Sequence, residues 1–99
     1  LIVLDFSKGG SAIGKFLLGK ILVTEGVLKS VSETDQMIAL NRHAQGDWGT
    51  VFENEALTNN KGMLKGGRLL SSYLSERGIP FDVVTEANRS LTWLKLREE

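Results

Sequence analysis

The chain contains no cysteine. Disulfides, thiolate nucleophiles and cysteine-based metal sites are therefore excluded, and a cysteine-free protein fits a cytoplasmic setting. Histidine is almost as scarce, with His43 standing alone. The serines at 71, 72, 75 and 90 thus have no choice of imidazole partner for a hydrolytic triad. A lone imidazole with scattered acids such as Asp47 also falls short of a metal site, so His43 reads as a structural residue near a helix end. Net charge is lacking too: 12 basic residues balance 12 acidic ones, and the bulk phosphate attraction of a duplex-binding domain is missing. Long apolar runs are missing as well. No window approaches the ~20 residues of a membrane span, and Leu1–Leu4 stops at Asp5, too short for a signal-peptide core.

What remains is an ordinary globular composition, 41% hydrophobic and 24% charged. Residues 1–99 read as one domain, long enough to bury roughly two-thirds of the surface exposed when unfolded. The charges cluster locally. Residues 31–58 carry Arg42 against Glu33, Asp35, Asp47, Glu53 and Glu55, whereas Lys61, Lys65 and Arg68 follow without an intervening acid. Such polarity orients a partner even at zero net charge.

The last third is the most legible. Arg68–Glu76 alternates, with Leu70, Ser72 and Leu74 on one side and Leu69, Ser71, Tyr73 and Ser75 on the other. Phe81, Val83 and Thr85 share a face of a second strand, and Thr92, Leu94 and Leu96 share one of a third. Arg77–Pro80 and Asn88-Arg89 supply the turns. Earlier, Leu1–Phe6 is briefly β-prone, 7–11 reads as loop, and Phe16–Val23 reads as a strand, with Gly19 marking a bulge or close backbone approach. From Glu25 the period becomes helical. A short turn over 25–31 precedes a helix over 33–44, started by Ser30-x-x-Glu33 or Ser32-x-x-Asp35 and ended by Gly46. Met37, Ile38 and Leu40 are expected to face the core. Residues 53–64 tend to helix but are interrupted by Asn59, Asn60 and Gly62, so two short turns compete with one element. The fold expected is α+β: a mainly antiparallel sheet of about four strands, in the order strand, helices, three-stranded meander, with the helices on one face.

Two motifs invite chemistry. Gly9–Lys15 fits G-x-x-x-x-G-K, but Phe16 stands where a hydroxyl should hold magnesium, and the following residues look like strand. It is a coincidental match. Glu86, Asn88, Arg89 and Ser90 crowd one turn, either through local hydrogen bonding and a Glu86–Arg89 pair or as a polar recognition patch with Arg68 and Tyr73. Trp48, between Asp47 and Gly49, is either a lid on the core or an exposed contact anchor.

Arg42–Gly49, Gly67–Tyr73 and Thr85–Thr92 together resemble a family of small bacterial proteins carried on plasmids and other mobile elements, some labelled restriction-modification subunits. The resemblance spans about residues 17–97 and leaves 1–16 as a divergent or poorly ordered N-terminal segment. The third motif in that family reads T-E-A-D-R-S, and Asn88 replaces the acid here, which argues against metal or acid chemistry at the turn. The resemblance implies a fold and a genetic setting, and no activity.

The expectation is a non-enzymatic mobile-element accessory protein that binds a protein partner, without cofactor, metal or membrane. The candidate surface is Asp47, Trp48, Arg68, Tyr73, Glu86, Asn88 and Arg89. One alternative is a nucleic-acid or nucleotide binder using Lys61, Lys65, Arg68 and Arg89 with Tyr73 or Trp48 stacking on bases. Another is an enzyme using carboxylates such as Asp47 and Glu86. A homodimer with Trp93 at the contact is also expected. Leu91–Leu96 carries large apolar groups on both faces, so it is either a central strand or an edge covered by a second copy.

Overall fold

A computed structural model describes the backbone of residues 2–4 and all of residues 14–99. The expected loop at 7–11 and most of the Gly9–Lys15 motif lie outside the described residues. The elements run β1 (Ile2–Leu4), β2 (Lys20–Val23), α1 (Glu25–Ser30), α2 (Glu33–Ala44), α3 (Glu53–Lys65), β3 (Leu69–Leu74), β4 (Pro80–Thr85) and β5 (Leu91–Leu96). The α+β class holds. The sheet, however, is mixed and has five strands in the order β1-β2-β5-β4-β3. The three C-terminal strands form the expected antiparallel meander, while β2 lies parallel to β5, Leu22 opposite Trp93 and Val23 opposite Leu94. Strand β5 is therefore interior to the sheet.

Helices α1 and α2 start where a side-chain cap satisfies an early amide. Thr24 Oγ1 accepts the Val27 N–H at 3.3 Å, and Ser32 Oγ accepts the Asp35 N–H at 3.1 Å, which selects Ser32 over Ser30 as the cap of α2. Glu55 reaches back to the Phe52 N–H at 3.1 Å to open α3. Acids sit in the first turns and Lys29, Arg42 and Lys65 in the last, complementing the helix dipoles.

The buried stripe of α2 is Gln36, Ala39, Leu40, His43 and Ala44, at i, i+3, i+4, i+7, i+8 spacing. Met37 and Ile38, expected in the core, are 45% and 52% exposed. The stripe carries two polar side chains made tolerable by hydrogen bonds, such as Gln36 Nε2 to the Val31 carbonyl at 3.0 Å. Hydrophobicity alone therefore points to the wrong side of the helix. Leu40 and Ala39 join Ile21, Val23, Val27, Val31, Tyr73, Phe81, Val83 and Leu94 in one core. Each large member buried there contributes roughly 1.5–3 kcal/mol.

Helix α3 is one element, because its weak helix formers are engaged elsewhere. Asn59 donates to the Leu70 carbonyl at 2.7 Å and accepts the Leu70 N–H at 3.1 Å. Gly62 leaves room for Leu69, whose Cδ2 would sit 3.2 Å from an added Cβ. The helix thus borders β3, and the expectation of all helices on one face gives way: α1 packs on β5, α2 on β4, and α3 lies along β3 at the sheet border. The segment after α2 closes the same edge, with the Thr50 N–H donating to the Ser72 carbonyl at 2.7 Å and the Ser72 N–H to the Trp48 carbonyl at 3.1 Å. A covered edge cannot recruit a foreign strand.

Gly49 makes that closure possible. Its φ is +73°, and an added Cβ would lie 1.9 Å from the Ser72 carbonyl oxygen. Gly78 has a similar φ of +81° but open space around it. Gly49→Ala is therefore expected to cost about 3 kcal/mol and Gly78→Ala about 1 kcal/mol in urea denaturation. Equal losses would mean that the close approach to β3 is not a real constraint.

Candidate functional site

The sequence-predicted residues fall into two groups. The first surrounds the end of α2. Arg42 clasps Asp47 with two hydrogen bonds, Nε to Oδ2 at 2.7 Å and Nη2 to Oδ1 at 3.1 Å. The guanidinium holds the Asp47 carboxyl below its usual range, and the same bond raises the Arg42 pKa. Arg42 also lies over the Tyr73 ring, 4.8 Å from its centroid. Tyr73 is only 2% exposed and donates its hydroxyl to the Asp47 carbonyl at 2.5 Å. Burial pushes its phenol up to about 12. Trp48 is 5% exposed, stacks on Phe16 at 6.1 Å, meets His43 edge-on at 5.6 Å, and donates to Asn60 Oδ1 at 2.9 Å. Of its two readings, the structure has the lid on the core. Arg42 and Asp47 are the exposed members of this group.

The second group surrounds the β4–β5 turn. Asn88 Oδ1 accepts from the Ser90 amide at 3.0 Å and its hydroxyl at 2.6 Å, the local bonding expected of an Asn turn. Arg89 has φ +62°, a conformation that costs energy in a non-glycine residue. Its guanidinium offsets that cost by donating to the carbonyls of Gly67 at 2.6 Å, Gly62 at 2.9 Å, Glu86 at 3.1 Å and Ala87 at 3.2 Å. Gly62 and Gly67 belong to the end of α3, so Arg89 is a cation on that helix C-terminus and ties it to the turn. The pair that forms is Arg68–Glu86, at 3.7 Å, and Trp93 Nε1 also donates to Glu86 Oε1 at 3.3 Å. Glu86, Ala87, Asn88 and Ser90 line only a shallow, open depression.

Two arrangements were not anticipated from the residues. The first is a buried polar line. Ser71 Oγ meets His43 Nδ1 at 2.5 Å, His43 Nε2 meets Thr85 Oγ1 at 2.9 Å, Thr85 meets Thr92 at 2.6 Å, and Thr92 donates to the Leu18 carbonyl at 2.6 Å. A carbonyl only accepts, so the direction of every proton follows. Thr92 donates to Leu18, Thr85 to Thr92, His43 Nε2–H to Thr85, and Ser71 to His43 Nδ1. The imidazole is neutral, and burial with the nearby Arg89 charge lowers its pKa to about 3. The signal in the sequence was three hydroxyls, Ser71, Thr85 and Thr92, each sharing a strand face with large apolar residues.

The second is on the opposite face of the sheet. Register aligns Leu22, Trp93, Val84 and Leu70 as direct neighbours across four strands. On one side of this row lie Lys20, Leu91, Glu86 and Arg68; on the other, Lys95, Asp82 and Ser72. Asp82 holds Lys95 at 3.9 Å and Arg97 at 3.7 Å, and accepts Ser72 Oγ at 2.8 Å. The sequence alternation assigned these residues to one side of each strand, but only the register shows that they align. Trp93 is half-buried, and because β5 is interior to the sheet, exposed-edge pairing is not the reason for its apolar neighbours.

Among the described residues no three His, Asp or Glu side chains gather as a metal site, and no helix is long and apolar enough to cross a membrane. No family model matches the chain, nor does any curated protein or solved structure.

The His43 line makes stability depend on pH. A free imidazole binds its proton near 6.5, whereas the folded one resists it down to about 3. The contribution is whole above pH 6.5 and falls away as pH drops toward 3, on the order of 4 kcal/mol across the window. Denaturation at successive pH values should show this loss, and the His43 ring resonances should stay in their neutral position down to pH 4. A titration midpoint near 6 would refute the buried line. Separately, Arg89→Lys keeps the charge but loses the forked contacts to Gly62 and Gly67. It is expected to lower stability by about 2 kcal/mol in urea denaturation, and an unchanged midpoint would remove Arg89 as the tie to α3.

Proposed function

We propose that this chain is a non-enzymatic accessory protein of a mobile genetic element, acting in the cytoplasm by binding a protein partner. The observation that carries this reading is the row Leu22–Trp93–Val84–Leu70, in which Leu22, Trp93 and Leu70 are part-exposed around a buried Val84, with charged residues along both sides. An apolar centre with a polar rim is the anatomy of a protein interface. Trp93 supplies the large aromatic side chain that typically dominates such contacts. The mobile-element setting rests on the resemblance of the three sequence motifs.

The contact surface differs from the one read along the chain. Trp48 and Tyr73 are turned inward and Arg89 is engaged with α3, leaving Arg68, Glu86 and Trp93 on the proposed face. The same burial weakens a nucleic-acid reading, since Lys61, Lys65 and Arg68 have no exposed Tyr73 or Trp48 beside them for stacking. For an enzyme, the Ser71–His43 pair is sealed from substrate. Asp47 lies by Tyr73, and Glu86 follows Thr85, the partner of Leu69. Leu69 and Tyr73 are about 13 Å apart along β3, so the two carboxylates serve different ends of the strand. A second copy of the chain, with Trp93 at the contact, is the competing occupant of the face.

Replacing Trp93 or Leu70 with Ser should leave the circular dichroism spectrum and cooperative unfolding intact. Each should reduce capture of a partner from host extract at least tenfold, while Leu64→Ser, on exposed α3, does not. Capture that survives both face substitutions would remove this surface from the reading.

A further inference from the structure

Strand direction sorts the charges by end. At one end of the sheet β2, β3 and β5 start and β4 finishes. Helix α3 finishes there too, because Arg89 in the β4–β5 turn donates to the carbonyls of Gly62 and Gly67 at 2.9 and 2.6 Å. So does α2, whose Ala44 carbonyl accepts the Lys15 N–H at 2.7 Å. The acidic first turns of both helices are thereby directed toward the other end. Lys15, Lys61 and Lys65 are exposed at this end, and none of them forms an ion pair among the described residues. Arg68 and Arg89 add to them. The acids nearby are Glu86, which Arg68 reaches at 3.7 Å, and Asp47, which Arg42 clasps. With both counted, the surplus is positive.

Two large apolar side chains lie among these cations. Leu64 is 88% exposed and Leu17 is 76% exposed. On α3, Asn59 and Gly62 face β3. Lys61 and Leu64 follow them by two positions each, roughly 200° around the helix, which turns both away from the sheet. The segment holding Leu17 passes beside this last turn. The Arg89 guanidinium lies over the Phe16 ring at 5.6 Å, and the Lys15 and Met63 side chains both stand 3.7 Å from where a Cβ on Gly46 would be. Leu17 and Leu64 directly follow the half-buried Phe16 and Met63. Phe52, 77% exposed, sits instead at the start of α3 beside Glu53 and Glu55.

Unpaired lysines suit any polyanion, and the leucines choose among them. Nucleic-acid bases would need aromatic rings to stack on, yet Trp48 and Tyr73 are 5% and 2% exposed. The acidic end of a second copy carries Lys29, Arg77, Lys95 and Arg97 among its acids, a poor match for cations. An anionic bilayer offers a negative surface with an apolar layer directly beneath it. We propose that this end of the molecule docks on an anionic lipid bilayer, with Leu17 and Leu64 inserted at headgroup level and Lys15, Lys61, Lys65 and Arg68 against the lipid phosphates. The expectation of no membrane rested on the lack of a span, and a surface contact needs none. Acids at the far end are repelled by the same surface, so the neutral chain is held in one orientation. The contact goes beyond the protein-binding reading and leaves Trp93 free for it.

The test uses the full chain and vesicles of phosphatidylcholine, alone or mixed in equal parts with phosphatidylglycerol. The chain should sediment with the mixed vesicles at low salt, less so as salt rises, and hardly at all with the neutral ones. Lys61→Ala/Lys65→Ala should weaken partition about thirtyfold, equivalent to ~1 kcal/mol for each lysine. Leu17→Ser/Leu64→Ser should weaken it about tenfold, while Leu57→Ser, two turns nearer the acidic end of α3, should not. Circular dichroism and urea midpoints should match the parent, since each replaced side chain is exposed. On the unaltered chain, a nitroxide-labelled lipid headgroup should broaden the amide signals of Leu17 and Leu64 and spare that of Phe52. Absence of binding to the mixed vesicles at low salt, equal binding to both kinds, or broadening centred on Phe52 would overturn the proposal. So would tighter binding of a short DNA duplex that Leu17→Ser/Leu64→Ser leaves unchanged, since the lysines would then serve nucleic-acid phosphates. Low-salt self-association lost in Lys61→Ala/Lys65→Ala would overturn it as well, in favour of a second copy. Partner capture through Trp93 is read separately, so failure of either reading leaves the other standing.

Discussion

A neutral imidazole sealed inside the core constrains much of the rest of the molecule. His43 belongs to α2, Ser71 to β3, Thr85 to β4, Thr92 to β5, and Leu18 to the segment leading into β2. Because the line ends on a carbonyl, His43, Thr85 and Thr92 each have one role as donor and one as acceptor. A shift of any strand by one residue would turn its hydroxyl to the other face and leave buried partners unsatisfied, costing about 1–3 kcal/mol for each. Hydrophobic contacts favour burial without choosing a register so sharply. Directional bonds among buried groups choose it, and α2 is fixed over the sheet by the same atoms.

Arg89 does comparable work at the border. The turn that delivers β5 beside β4 needs a left-handed residue, and glycine would adopt that conformation at less cost. Arginine is accommodated because its side chain reaches the carbonyls that end α3 and the carbonyls of its own turn. Its charge also lies over the Phe16 ring, 5.6 Å from the centroid, and Phe16 in turn meets His43 edge-on at 5.3 Å. Thus the polar line and the arginine tie share neighbours. The positive charge that caps the helix also helps keep the imidazole neutral.

What the sequence discloses follows from the range of each interaction. The alternation in β3, β4 and β5 is local, so which residues share a face of each meander strand was legible, though not which face is buried. A cap before α2, at Ser30 or Ser32, and the stop at Gly46 were legible for the same reason. The buried side of α2 was not, because Gln36 and His43 occupy core positions through partners far away in the chain. Asn59 and Gly62 misled similarly: they look like helix breakers, yet their value lies in contacts with Leu70 and Leu69. The parallel pairing of β2 with β5 joins residues about seventy positions apart and leaves no periodic trace. Tyr73 and Trp48 look like contact residues because aromatic rings suit interfaces and cores alike. Their burial depends on Asp47, Asn60 and Phe16, which no local pattern brings together.

Strand pleating then divides the two kinds of work between alternate residues. In β5, Thr92 and Leu94 face the helices, where the hydroxyl line and the core define the fold. Trp93 and Lys95, which alternate with them, face the other way and meet no part of that line. The same division holds in β4, where Val83 and Thr85 face inward while Val84 faces outward. Side chains on the outer face can thus vary with limited effect on register, since the bonds that set register lie beneath the backbone. The inward face tolerates little change, because each of its polar groups already has its partner assigned. A sheet organised in this way holds one face rigid through hydrogen bonding and presents the other as a preformed surface. The ordering of that surface is largely complete before any partner arrives, which reduces the entropy lost on binding.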